Sequence, residues 1–136
     1  MFDLPPEAIE WLCDMFAVIQ LFDDVADGDT IERKDLNRVI WASLVGMQNN
    51  TFYAKNSQTL LPVVATQILK WQGSDIAERS GEADERSYVW RAGYYDLIML
   101  VYFLCHGREK AELEAVNIMK FYGETFKEYK KEFSNA

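Results

Sequence analysis

Residues 97–105 read LIMLVYFLC, an unbroken apolar run directly after Asp96. A helix of that composition is apolar on every side, so other elements must enclose it. It is far shorter than the ~20 residues that cross a bilayer, so the enclosure is expected to be protein and no membrane partner is expected. The rest of the chain supplies suitable material. With Gly 7 and Pro 3 among 136 residues, turn punctuation is too sparse for a many-stranded β fold. Hydrophobic residues at 49% and aromatics at 14% favour a packed core over disorder. The expectation is an all-α fold. It is one domain over residues 1–136, a largely antiparallel bundle of about five helices with the apolar run in a central, most buried fourth.

Local signals divide the chain. Pro5-Pro6 suit the first turn of a helix that reaches Asp27 and stops at Gly28. Asp29-Thr30-Ile31-Glu32 has capping-box spacing and would open a second helix running to about Met47. Asn49-Asn50-Thr51 and Lys55-Asn56-Ser57 bracket a loop over 48–57. A third helix over 58–71 follows, with Pro62 in its first turn. Residues 72–82, QGSDIAERSGE, read as the long loop, or as a frayed helix end followed by a loop. The fourth helix covers 83–105 and ends at His106-Gly107. The fifth covers 108–133, with Leu113, Val116, Phe126, Tyr129 and Phe133 on one side.

A net charge of −8 argues against nucleic acid as a partner. The tail KFYGETFKEYKKEF interleaves aromatics with lysines, but its glutamates nearly cancel them, so it reads as an amphipathic helix docked on the core or a partner. Cys13 and Cys105 are isolated, without zinc spacing, and read as small buried apolar residues in a reducing compartment. Met1-Phe2-Asp3 lacks the basic start of a secretory signal, which points to the cytoplasm. His106 is the only histidine, so no His-based triad or metal cluster is available. Trp71, Trp90, Tyr94, Tyr95 and Tyr102 are more aromatics than a small core needs. They suit an oligomer interface or scattered packing.

The most unusual chemistry lies in residues 21–36, LFDDVADGDTIERKDL. At about 100° per residue, Leu12, Phe16 and Ile19 centre the apolar face of the first helix, and Asp23 falls in that sector. Asp27 lies one turn on and Asp24 toward the edge. In the fourth helix Val89, Ala92, Leu100 and Phe103 mark a sector that contains Asp96. A buried carboxylate needs a partner, a proton or a metal. Asp23, Asp24 and Asp27 also crowd a helix C-terminus, where the macrodipole is already negative. Two outcomes are open. The acids pair with tyrosines, tryptophans, Arg38, Arg86 or Arg91, or Asp23, Asp27 and Asp96 hold a hard cation such as Mg²⁺. A calcium loop starting at Asp24 is excluded, because Ala26, Gly28 and Asp29 occupy positions that need ligands or glycine.

Asp23-Asp24-Val25-Ala26-Asp27 resembles the DDxxD motif of class I terpenoid (isoprenoid) synthases. The resemblance implies an all-α fold and Mg²⁺ bridging a substrate diphosphate. It makes Asp23 and Asp27 metal ligands, places Asp24 behind them or toward solvent, and offers Arg86 or Arg91 as diphosphate clamps. The second metal motif of that family has no counterpart here, so catalysis is not implied. Glu82-Ala83-Asp84-Glu85 resembles the ExxE half of all-α nucleoside triphosphate pyrophosphatases without its ExxD partner, and reads rather as an acidic first helical turn. The leading expectation is a non-catalytic interaction or assembly protein that self-associates. The alternative is a Mg²⁺-dependent site for a phosphorylated or diphosphate small molecule.

Overall fold

A computed structural model of the chain describes residues 2–133. Among them are seven helical stretches and no strand, so the fold is all-α, with seven helices where about five were expected. They are α1 (Pro6–Asp27), α2 (33–49), α3 (Thr51–Arg79), α4 (Glu85–Trp90), α5 (Gly93–His106), α6 (Arg108–Lys120) and α7 (Phe126–Phe133). By internal packing the chain forms two compact units, Met1–Gln58 and Thr59–Ala136, and α3 passes from one into the other.

In the first unit α1 runs between the expected signals. Pro6 occupies its first turn, and Gly28 (φ 75°) closes it. The Gly28 and Asp29 amides donate back to the carbonyls of Val25 and Asp24, which satisfies the helix end. Ala8, Trp11, Leu12 and Met15, at the spacing of one helical stripe, are buried. Fully burying such side chains contributes about 1.5–3 kcal/mol each. Phe16, expected at the centre of that stripe, is exposed.

The Asp29–Glu32 capping box does not form. Glu32 is the N-cap of α2, and no side-chain cap is made there. Within α2, Ala42–Gly46 forms a π-helical turn, in which one extra residue widens the coil. Ser43 Oγ donates to the Val39 carbonyl at 2.7 Å beside it. Gly46 lies so close to α1 that an added Cβ would sit 3.4 Å from Asp14 Oδ2.

The expected loop over 48–57 contracts to one residue. Asn50 leaves the helical conformation (ψ 128°), and its Oδ1 accepts from the Tyr53 amide at 2.9 Å, capping α3. Its Nδ2 donates to the Glu7 carbonyl at 2.9 Å and ties this corner to α1, while Tyr53 stacks on Trp11.

In the second unit the expected loop over 72–82 is also largely helix. Pro62 lies inside α3, and the helix continues to Arg79. Gly81 (φ 79°) ends it, with the Glu82 amide donating to the Ala77 carbonyl at 2.7 Å. The true capping box lies here. Asp84 accepts from the Arg86 and Ser87 amides, and Ser87 Oγ accepts from the Asp84 amide.

The single helix expected over 83–105 breaks at Arg91-Ala92, and that expected over 108–133 breaks between Lys120 and Phe126. Gly93 opens α5 because space is short: a Cβ there would stand 2.9 Å from Gln67 Cγ. The apolar run buries Leu97, Ile98, Val101 and Tyr102 but leaves Phe103 exposed. Val89, Leu113 and Val116, expected to face the core, are exposed. The small residues Ser87 and Ala111 are buried in their place. Of the tail only Phe126–Phe133 is an amphipathic helix, with Tyr129 buried and Lys130 and Lys131 outside, while Phe126 is exposed.

Candidate functional site

The acids of α1 do not share one environment. Asp23 and Asp24 are half-buried and Asp27 is exposed. Asp24 borders a cleft of about 260 Å³ between α1 and the start of α2, together with Gln20, Thr30, Asp35 and Arg38. Arg38 Nη2 also stands 3.7 Å from Asp14 Oδ1. Among the described residues, no group of three or more His, Cys, Asp or Glu side chains could hold a metal ion.

In the second unit Asp96 has a cationic partner. Lys70 Nζ donates to Asp96 Oδ2 at 2.7 Å on a half-exposed surface. This pairing satisfies the carboxylate without a metal. It also corrects the expected helix phase, because Leu97, Ile98 and Val101 form the buried sector.

The two arginines considered as phosphate clamps are committed to carboxylates of their own chain. Arg86 donates from both Nε and Nη2 to Asp84 Oδ2, at 3.0 Å and 2.7 Å. The pair holds the Asp84 carboxyl below its ordinary pKa and raises that of Arg86. Arg91 lies between Glu78 (3.6 Å) and Glu124 (3.4 Å) and over the rings of Tyr129 and Phe133. Burial opposes its charge, but Glu78 and Glu124, with Tyr122 and Glu132, together outweigh burial and raise its pKa. The burial that Glu78 suffers exceeds the help of Arg91, so its pKa is raised.

Around this core Tyr88 packs against Tyr122, Phe126 and Tyr129, and the Tyr88 hydroxyl donates to the Glu124 carbonyl. Tyr129 OH meets Ser87 Oγ. The Tyr129 phenol also hydrogen-bonds the Glu78 carboxylate, which can only accept, so the phenol proton has two claimants. These bonds lock α4 to α7, while beside them Glu78 Oε2 and Arg91 Nη1 are buried without a hydrogen-bond partner among the described residues.

Of the surplus aromatics, Tyr102 is buried against His106 and Tyr95 packs on Tyr122 and Tyr94, whereas Trp90 is exposed. Cys13, expected to be buried, is exposed, and Cys105 is half-buried with a thiol pKa raised by that burial.

On the second-unit part of α3 the usual helix pattern is inverted. Leu60, Gln67 and Ser74 point inward and are buried. On the opposite side Leu61, Ile68, Leu69 and Ile76 are 51%, 47%, 67% and 57% exposed. At about 100° per residue these four fall within a sector of roughly 100°, together with exposed Ala65 and Gln72. Gln67 abuts Gly93, which leaves no room for a larger α5 side chain, and its Oε1 is buried without a hydrogen-bond partner among the described residues. The loop signals over 72–82 hide the C-terminal part of this face in the sequence. The recurrence of Leu61, Ala65, Ile68, Leu69 and Ile76 was the available signal. No helix among the described residues is long and apolar enough to cross a membrane.

Comparison of the chain with protein-family models, curated proteins and solved structures finds no match.

Proposed function

We propose that the chain is a non-catalytic interaction or assembly module that docks through the exposed face of α3. One observation carries this reading: α3 turns Gln67 and Ser74 inward and four large aliphatic side chains outward. Each of those side chains, about half exposed, forgoes on the order of 1 kcal/mol relative to full burial. A partner covering the face recovers that free energy for all four together. A contiguous apolar strip of this kind marks docking surfaces rather than reaction centres. The polar chemistry nearby does not compete for the role, because Arg86, Arg91 and Asp96 are each engaged within the chain.

The test is a charge on the face. Leu69→Glu alters the most exposed of the four side chains and should leave the helical circular dichroism unchanged. It should abolish stable association of the full chain with any protein, itself included. Association of equal strength by wild type and variant would refute the reading.

A further inference from the structure

We infer that the partner covering the α3 face is a second copy of this chain, laid antiparallel about a two-fold axis between Ile68 and Leu69. The inference rests on the interaction reading above and names the occupant of that surface.

Three features favour a copy over another partner. The first is charge. The chain carries a net charge of −8, so two copies repel on average. The exposed residues Leu61, Pro62, Ala65, Thr66, Ile68, Leu69 and Gln72 carry none, so like charges meet least here. A basic partner would be drawn to the acids rather than to this neutral strip. Asp75 and Arg79 at its end are already paired within the helix at 3.0 Å.

The second feature is spacing. The face residues 61, 65, 68, 69, 72 and 76 are separated by four, three, one, three and four positions, the same in either direction. Reversing the helix onto itself puts Leu61 opposite Ile76, Ala65 opposite Gln72, and Ile68 opposite Leu69. Such a surface is self-complementary, as an isologous two-fold contact requires. Small Ala65 flanks the centre and admits close approach of the two helices.

The third feature is extent. From Leu61 to Ile76 the helix rises about 23 Å at 1.5 Å per residue. Two such faces in contact bury on the order of 1,000 Å², the lower range of specific interfaces. A reversible dimer of micromolar strength is the expected result.

Sedimentation equilibrium of the full chain, with salt varied, tests the first half. Wild type should form dimers in the micromolar range, unweakened or strengthened by salt because only repulsion is screened. Leu69→Glu should weaken dimerisation by more than tenfold with unchanged circular dichroism. Bis-maleimide cross-linking in a Cys13→Ser/Cys105→Ala background tests the geometry. A mixture of Ala65→Cys and Gln72→Cys chains should give the mixed product in preference to either self-product. Self-cross-linking of each single variant without the mixed product would overturn the antiparallel arrangement. A monomer that still binds another protein through Leu69 would overturn the copy as occupant while sparing the interaction reading. A monomer indifferent to Leu69→Glu in every association would overturn both.

Discussion

Replacing Gly93 by alanine tests the contact that orients α3. The new Cβ would lie 2.9 Å from Gln67 Cγ and 3.4 Å from both Gln67 Cα and Cβ. Carbon atoms prefer about 3.5–4.0 Å, so the first contact is repulsive and the others are tight. Rotating the Gln67 side chain relieves the contact to Cγ but not that to the backbone Cα. Forced methyls in packed sites cost about 1–3 kcal/mol. Against this, replacing glycine by alanine restricts the unfolded chain and returns about 0.4–1 kcal/mol. The expected net loss is about 1 kcal/mol, a fall in Tm of about 4 °C for a chain this size. Urea unfolding followed by circular dichroism measures it. Gln67→Ala removes Cγ, so in that background the Gly93→Ala penalty should fall below half. An unchanged or raised midpoint for Gly93→Ala in the wild-type background, or a penalty unaffected by Gln67→Ala, would refute the argument that this contact holds the amide inward.

Three further outcomes follow from the second unit. Because burial raises the Glu78 pKa, the folded state binds its proton more tightly than the unfolded chain, and stability falls as pH rises from 4.5 through the folded value. Glu78→Gln should therefore flatten that slope in pH-dependent melts and cost less than 1 kcal/mol at neutral pH. Arg91→Met, which strands two buried carboxylates, should cost about 3 kcal/mol. A larger loss for Glu78→Gln than for Arg91→Met would contradict the assignment. Tyr129 is pushed up to about 12 and Tyr88, Tyr95 and Tyr122 are raised as well, chiefly by burial. Stability is thus intact below pH 10 and is lost as pH rises from 10 toward 12. Phenolate absorbance should show these tyrosines ionising only with unfolding, and ionisation near pH 10 in a folded chain would argue against it. For the serine–tyrosine bond, Tyr129→Phe should cost about 1 kcal/mol, and the Ser87→Ala/Tyr129→Phe pair should fall short of additivity by a similar amount. Additive losses would mean that the bond contributes nothing.

The sequence was most legible where one residue type has one physical use. Pro6 and Gly28 delimit α1, and Gly107 (φ 87°) ends α5, as expected. Composition alone sufficed for the all-α class. The phase of the helices was less legible. A run such as 97–105 is apolar all round, so periodicity cannot say which side is covered, and small residues decided it: Gly93 and Ala111 are buried while Val89 and Leu113 are exposed. Asparagine and glycine in 49–73 resemble loop signals, and Pro62 the first turn of a new helix. Asn50 is instead a cap, and Pro62 is tolerated inside an exposed helix turn. For the acids, the local reading missed a distant partner. Lys70 lies 26 positions before Asp96, and neither residue alone signals the other.

The π-helical turn Ala42–Gly46 has a consequence for how the first unit tolerates change. Its widened coil fits one extra residue into about the rotation and rise of an α-helix one residue shorter. Deleting one exposed residue there, such as Leu44, would therefore restore a regular α-helix, remove no buried side chain and leave Met47 and Asn50 nearly in register. Asn50 would keep its bond to the Glu7 carbonyl and Tyr53 its place on the Trp11 ring. This is the stretch of the first unit that can lose a residue with least consequence.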